Sequence, residues 1–239
     1  MVSYMEKHNI LFGAKMGIKI DQIADGVYSI GNSIATQNML PGASVYGEQR
    51  LNLNGAEFRI WDPNRSKVGA AIKKGLRNLQ ITKGSKILYL GAAEGTTISH
   101  LSDIIGEEGV IFGVDISARS MRKFIYLCEQ RKNLVPILAD ASQPMTYKEN
   151  ISGFTIDALF QDVSQKNQAE ILLKNSRAYL KSGAYAFLSL KARSINSTDP
   201  TSAIVEEESK KLENEFEILE TINLEPFEKD HAMIVCRRK

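Results

Sequence analysis

The sequence predicts an α/β fold, a doubly wound, mostly parallel sheet that closes in an antiparallel hairpin and is preceded by a small β-rich module. Three observations predict it. From Lys86 onward, continuous apolar runs alternate with stretches of helical period, the pattern of parallel strands covered on both faces. The last two strand-like runs are joined only by "EPFEKD", too short for a crossover helix, so they pair antiparallel. Before about Leu53 the chain shows short alternating pieces ("GIKI", "GVYSI", "SVYGEQRLNL") broken by Gly, Asn and "LPG", which suits a turn-rich β segment.

Taken in order, residues 1–55 form the small module and 56–239 the main domain. "FRIWDPNRSK" leads into a helix with Asp62 as N-cap and Pro63 at its first position. Val68, Ala71, Ile72, Leu76 and Leu79 then recur at helical spacing. "KILYL" (86–90) is the first strand of the large sheet, followed by a helix near 97–105. "VIFGVD" (110–115), a helix from about Ala118 to Lys132, "VPILAD" (135–140) and "IDALFQD" (156–162) come next. A helix from about Gln165 to Leu180 precedes "YAFLSLK" (185–191), and Asp199-Pro200 opens a further helix. "FEILETINL" (216–224) and "HAMIVCRR" (231–238) make the closing hairpin. This shape suits methyltransferases that bind nucleotide-like cofactors better than dehydrogenases, whose sheets usually continue in parallel.

Composition narrows the classes. The 239 residues are 43% hydrophobic and 24% charged, ordinary for a globular protein, and long enough to bury a core without disulfides. The formal net charge is only +2, so any nucleic-acid affinity rests on locally placed cations. Cys128 and Cys236 match no metal spacing, and His8, His100 and His231 suggest no zinc cluster. No apolar run approaches the roughly 20 residues needed to cross a bilayer, and "MVSYMEKHNI" lacks the apolar centre of a signal peptide. A cytoplasmic or nucleoplasmic protein is the expectation.

In open α/β sheets, ligands sit beyond the carboxyl ends of the strands. Here the first strand ends in "LGAAEGTT", whose glycines admit close backbone approach before a helix N-terminus. The next three end in Asp115, Asp140 and Asp162, and the fifth in Lys191. Asp115 follows Gly91 at about the 20-residue distance expected of an acid that accepts ribose hydroxyls. One such acid is usually a helix cap; three in succession behind a glycine turn read as a pocket. Lysine is almost never fully buried unless paired, so Lys191 either meets solvent or pairs with Asp162 on the neighbouring strand. The second alternative would set an amine beside the cofactor's reactive end.

The stretches "LPGASVYGE", "FRIWDPNRSKVGAAI", "ILYLGAAEGTTISHLSDIIG", "NLVPILADA", "QDVSQ", "LKARSI" and "NLEPFEKDHAMIV" resemble fibrillarin in its archaeal form, without a Gly/Arg-rich arm. The resemblance runs from about Asn38 to the end. It implies a Rossmann-like class I methyltransferase sheet and an RNA ribose 2′-O-methyltransferase that uses S-adenosyl-L-methionine. It further implies box C/D guide RNA and target rRNA or tRNA, a Nop-domain scaffold protein and a kink-turn-binding ribosomal-type protein in one particle. Matched residue by residue, the catalytic set is Lys67, Asp162, Lys191 and His231. The cofactor set is Gly91, Thr96, Thr97, Asp115, Asp140, Ala141, Asp162 and Gln165.

Arg59, Arg65 and Arg193 flank the two lysines and are expected at RNA phosphates. Phe58, Trp61 and Phe227 suit the core better than RNA stacking, and His100 reads as structural. The sequence departs from the family pattern at Glu94, where serine is common, at Asp115 for glutamate, and at Ser164 and Lys166 for alanine and proline. A negative charge at Glu94 suits a sulfonium cofactor and counts against NAD. An RNP subunit without catalysis is the other alternative, which the intact four-residue set opposes. Lys191 either takes the hydroxyl proton or only orients the hydroxyl.

Overall fold

The structure is a computed structural model describing residues 19–239. The "MVSYMEKHNI" stretch, His8 and the first half of "GIKI" lie outside the described residues. Strands β1 (Ile20–Ala24), β2 (Val27–Ile30), β3 (Ser33–Gln37), β4 (Arg50–Leu53) and β5 (Ala56–Trp61) form an antiparallel sheet in the order β1-β2-β3-β5-β4. This sheet runs to Trp61 rather than stopping near Leu53. Asn54 and Gly55, both at positive φ, fold the chain back so that β5 pairs with β4 and β3. A division at 55/56 therefore passes through a hairpin.

The helix expected from Asp62 through Leu79 is broken in two. Asp62 caps a single 3-10 turn, Pro63–Arg65, by accepting from the Asn64 N–H. Ser66 then returns to extended backbone, and its hydroxyl accepts from the Gly69 N–H to start α1 (Lys67–Lys73). Leu76 and Leu79 lie beyond this helix, past Gly75 at φ 96°.

The large sheet alternates as predicted: β6 (Lys86–Leu90), α2 (Thr96–Ile105), β7 (Val110–Asp115), α3 (Ala118–Gln130), β8 (Leu134–Leu138). A short α4 (Lys148–Ile151) precedes β9 (Ile156–Gln161), α5 (Gln168–Tyr179), β10 (Leu180–Lys191), α6 (Ala192–Ile195) and α7 (Thr201–Leu212). The hairpin β11 (Phe216–Asn223) and β12 (His231–Arg238) closes it. The order is β11-β12-β10-β9-β6-β7-β8, with β10-β9-β6-β7-β8 parallel and β11 and β12 antiparallel. The switch point falls between β6 and β9. α5 starts three residues later than read, because residues 162–167 leave the sheet in a loop. α7 starts at Thr201 without an Asp199 cap, since that carboxylate accepts from the Asn196 side chain at 2.7 Å.

Two apolar layers cover the two faces of the sheet. On one, Tyr89, Phe160 and Phe187 from β6, β9 and β10 stack in a row, the last two 4.3 Å apart. The small sheet joins the α2 side of the main domain through a buried ion chain. Arg59, 0% exposed, donates to Glu48 at 2.6 Å and to Asp103 at 2.8 Å. Arg131 reaches the other Asp103 oxygen at 2.7 Å. Arg59 was expected at RNA; instead both its neighbours and its hydrogen bonds to Ser99 keep it inside. Burial alone would raise the Glu48 carboxyl, but the Arg59 guanidinium and the N–H groups of Tyr46 and Val45 hold it down to about 2.

His100 completes the joint. It stacks on Trp61 at 4.7 Å and lies fully buried. Burial holds its imidazole well below the usual range, and Arg59 and Arg131 push the same way, so the ring is neutral. The Thr36 hydroxyl donates to Asp103, so it must accept from His100 Nδ1. His100 Nε2 then accepts from the Tyr46 hydroxyl at 2.7 Å.

Removing one member of a buried ion cluster leaves an uncompensated charge. Arg59→Met should therefore lower stability by about 3–5 kcal/mol, read as a shift in urea midpoint. A loss below about 1 kcal/mol, the range of exposed pairs, would contradict this placement.

Candidate active site

Strand ends gather the chemistry at one edge. Asp115 ends β7, Asp162 directly follows β9, and Lys191 ends β10. Asp140 stands two residues beyond β8 rather than at its tip. The turn after β6 is fixed by Gly91 at φ 88°, where a Cβ would collide with the Asp162 carbonyl oxygen. The Asp162 N–H donates to the Leu90 carbonyl at 2.8 Å, so the loop and Asp162 are pressed together.

The four expected catalytic residues meet in two pairs. Lys67 Nζ lies 3.1 Å from Asp162 Oδ2, both side chains about a quarter exposed. Of the two alternatives for Lys191, pairing with Asp162 is not the one adopted: the break of the helix at Ser66 brings Lys67 onto that carboxylate. Among the described residues Lys191 makes no ion pair. It stands directly across from His231 in the β10–β12 register. Alternation along the strands sets Lys191 on the same face as Phe187, and His231 with Met233 and Val235. That apolar layer includes α1, whose first residue is Lys67. His231, 8% exposed, donates from Nδ1 to the Lys229 carbonyl at 2.7 Å.

One contributor was not found in the sequence. β9 pairs with β10 only as far as Gln161 opposite Leu188, which would leave the Lys191 backbone without a neighbour. The buried Gln168 side chain takes that place. Its Oε1 accepts from the Lys191 N–H at 2.9 Å, and its Nε2 donates to the Lys191 carbonyl at 3.1 Å. Gln161 Nε2 in turn donates to the Gln168 carbonyl at 2.7 Å. Because both backbone groups of Lys191 face Gln168, its pairing with His231 is of the non-hydrogen-bonded kind. Such pairs bring side chains closest, with Cα atoms about 4.5 Å apart. No sequence signal marked Gln168, since its partner is backbone.

The expected cofactor residues line the neighbouring edge. Asp115 accepts one backbone N–H on each oxygen, from Ala93 at 2.7 Å and Ser117 at 2.8 Å. A carboxylate has about four acceptor sites, so room remains for two hydroxyls. The Ser142 N–H, at 2.8 Å, holds the Asp140 carboxyl below its usual range. Gln165 donates to Asp140 at 3.5 Å while its own Oε1 is buried without a partner among the described residues. Thr96 opens α2 after Gly95, without a side-chain cap. The Thr97 hydroxyl donates to Ser66 at 3.0 Å, which leaves its oxygen able to accept. Ala141 is buried, its carbonyl taken by Asn175. Glu94 is paired with Lys123 at 2.6 Å.

Acceptors at the end of β7 and just beyond β8, an orphaned amide oxygen and an uncapped helix start fit a nucleoside bearing hydroxyls and amines. Arg65 is exposed and lies over the Tyr46 ring at 5.1 Å. Arg193 is exposed but already partnered, by Asp230 of the β11–β12 connection at 3.3 Å and by the Ser197 carbonyl.

Fold and site together define a class I methyltransferase. The family model of fibrillarin matches residues 18–239, and the chain belongs to that family. A fibrillarin-like rRNA/tRNA 2′-O-methyltransferase of Thermococcus sibiricus is 49% identical over 218 residues, covering 89% of this chain and 96% of the relative. The structure is similar to the Methanococcus jannaschii fibrillarin pre-rRNA processing protein, with TM-score 0.88 and 41% identity over 94% of this chain and 99% of that one. Aeropyrum pernix fibrillarin, solved with natively bound S-adenosyl-L-methionine, gives TM-score 0.81 and 40% identity over 92% of this chain and 100% of that one. The fibrillarin of a fibrillarin/Nop5p complex gives 0.82 and 37% over 90% and 98%.

An unsatisfied buried backbone donor costs about 1–3 kcal/mol. Gln168→Ala should speed hydrogen exchange at the Lys191 amide by about tenfold or more, one hydrogen bond's worth. An unchanged exchange rate would show that the Gln168 side chain does not hold this strand end.

Proposed function

We propose that this chain is an RNA ribose 2′-O-methyltransferase that uses S-adenosyl-L-methionine. The convergence of Lys67–Asp162 and Lys191–His231 beside a nucleoside-binding edge, in a member of the fibrillarin family, carries this reading. The proposal includes assembly with a Nop-domain scaffold, for which the fibrillarin/Nop5p relative is the support. It extends to a box C/D particle in which guide RNA selects rRNA or tRNA nucleotides and a kink-turn-binding protein anchors the assembly. The modest net charge of +2 suits an enzyme whose partners hold much of the RNA. A cytoplasmic place of action, nucleolar in a eukaryote, belongs to the same proposal.

The cofactor, when bound, supplies an electrophilic methyl group on a sulfonium. Asp115 accepts its ribose hydroxyls, Asp140 and Gln165 its base, and the Gly91–Thr97 turn its close approach. For the reaction itself, the ribose oxygen must be aligned and relieved of its proton. Alignment is worth on the order of 7–11 kcal/mol in well-positioned systems, and a general base about 10²–10⁴-fold.

Lys191 takes the 2′-hydroxyl proton from a backbone clamped by Gln168. Lys67, held on Asp162, orients the hydroxyl, and His231 holds the ribose from the facing strand. Nearby, Arg65 meets phosphate. The alternative of a non-catalytic subunit remains distinguishable by experiment.

Single-turnover methyl transfer to guide-paired RNA, followed against pH, tests the assignment. Lys191→Met should bind the cofactor normally, lose about 10²–10⁴ in rate, and lack the ascending limb of the wild-type profile. A variant with the wild-type limb would remove Lys191 from the proton's path. A wild-type particle that assembles and binds cofactor yet transfers nothing would favour the subunit reading.

A further inference from the structure

A cleft of about 430 Å³ opens beside this site, between the 44–46 loop with Arg65 on one side and α3 on the other. Its α3 wall includes Arg122, Lys123 and Tyr126, and its inner end is Glu94 and Thr96 of the turn after β6. With Arg119 one turn earlier, these α3 residues recur at helical spacing on one exposed face. Tyr126 is 66% exposed, although it is a large ring on an ordered helix. Among the described residues, none of Arg65, Arg119 and Arg122 forms an ion pair, and Lys123 alone is matched, by Glu94. A protein of net charge +2 thus leaves two unmatched guanidinium groups, Arg65 and Arg122, on one cleft, with Arg119 a turn further along the same face of α3.

The cleft is shaped by rigid parts. The Glu48 carboxylate accepts from the N–H groups of Val45 and Tyr46 and so fixes the loop. The Tyr46 hydroxyl is bound to His100, and its ring underlies the Arg65 guanidinium, which is thereby held near the cleft mouth. The cleft shares Glu94 and Thr96 of the turn after β6 with the proposed cofactor edge. Arg65 is followed by Ser66, which bonds Thr97 of α2, and then by Lys67 on Asp162.

We propose that this cleft carries the phosphodiester backbone of the RNA running up to the methylated nucleotide. Arg65 and Arg122 bind phosphates there, Arg119 extends the track along α3, and Tyr126 packs against the sugar edge. Planar guanidinium forks match phosphate oxygens, and unmatched cations in a groove are the electrostatic signature of a nucleic-acid track. This rests on the reading of the chain as an RNA methyltransferase, but direct RNA binding tests it separately from activity.

The experiment measures equilibrium binding of a guide-paired target RNA by the full chain in its scaffold complex, at several salt concentrations. Wild type is compared with Arg122→Gln, Arg119→Gln, Tyr126→Ala and, as an exposed cation elsewhere, Lys210→Gln. Each arginine variant should weaken binding alike for all target sequences and lower the salt slope by about 1. Cofactor affinity and the Lys210→Gln values should match wild type. Unchanged RNA affinity and slope in the arginine variants would overturn the proposal. So would weakened assembly with the scaffold in the absence of RNA, which would make the cleft a protein-docking surface. If wild type binds RNA with the expected slopes but transfers no methyl group, the activity reading falls and the cleft stands.

Discussion

The buried chain Glu48–Arg59–Asp103–Arg131 is the constraint on which the rest of the structure depends. Ionic groups taken from water must be matched almost completely, or they cost several kcal/mol each. Here each Asp103 oxygen meets a different arginine, while Thr36 and the Met39 N–H donate to the same carboxylate. The match is possible only in one relative placement of the small sheet and α2. That placement sets where β5 ends, where Ser66 caps α1, and hence where Lys67 arrives. Trp61 adds a steric limit, because a Cβ on Gly69 would lie 2.9 Å from its indole nitrogen. The N-terminal sheet is in this sense part of the active site, although none of its own five strands carries a proposed catalytic residue.

The main sheet supplies the other half of the arrangement. Its parallel strands lead into acids at the edge proposed for the cofactor, and the proposed reaction also calls for an amine there. The antiparallel β12 provides the facing residue, His231, and Gln168 substitutes an amide for the missing strand on the other side of Lys191. Local backbone pairing therefore holds the lysine in the site without giving it a carboxylate. Asp162 is left to Lys67, and the two lysines take different surroundings within one site.

Much of this was legible in the sequence, for identifiable reasons. Continuous apolar strands with helices between them predict the doubly wound sheet, because burial on both faces leaves a signal in every strand. The six-residue connection before His231 predicts the antiparallel hairpin by length alone. Strand-end acids are visible once the strands are placed. The errors concern side chains whose partners are distant in sequence. Arg59 reads as a surface cation because Asp103 and Glu48 reveal nothing of their positions in a linear pattern. The Lys67–Asp162 contact is not legible because a helix read as starting at the Asp62-Pro63 cap runs straight through the break at Ser66. Gln168 was invisible because its task is to bond a main chain. Arg122 and Tyr126 look like any solvated helix face until the 44–46 loop stands opposite them.

The claim that the buried chain acts through Lys67 is tested most directly by a double-mutant cycle on methyl transfer. Single-turnover rates of Asp103→Asn, Lys67→Met and the double variant would be measured at a temperature where circular dichroism shows all of them folded. Residues that act through one another give non-additive effects, whereas independent sites add to within about 0.5 kcal/mol. The account predicts that Lys67→Met costs distinctly less in the Asp103→Asn background than in wild type. Additive losses would contradict it, and would mean that the small sheet stabilises the fold without placing the lysine.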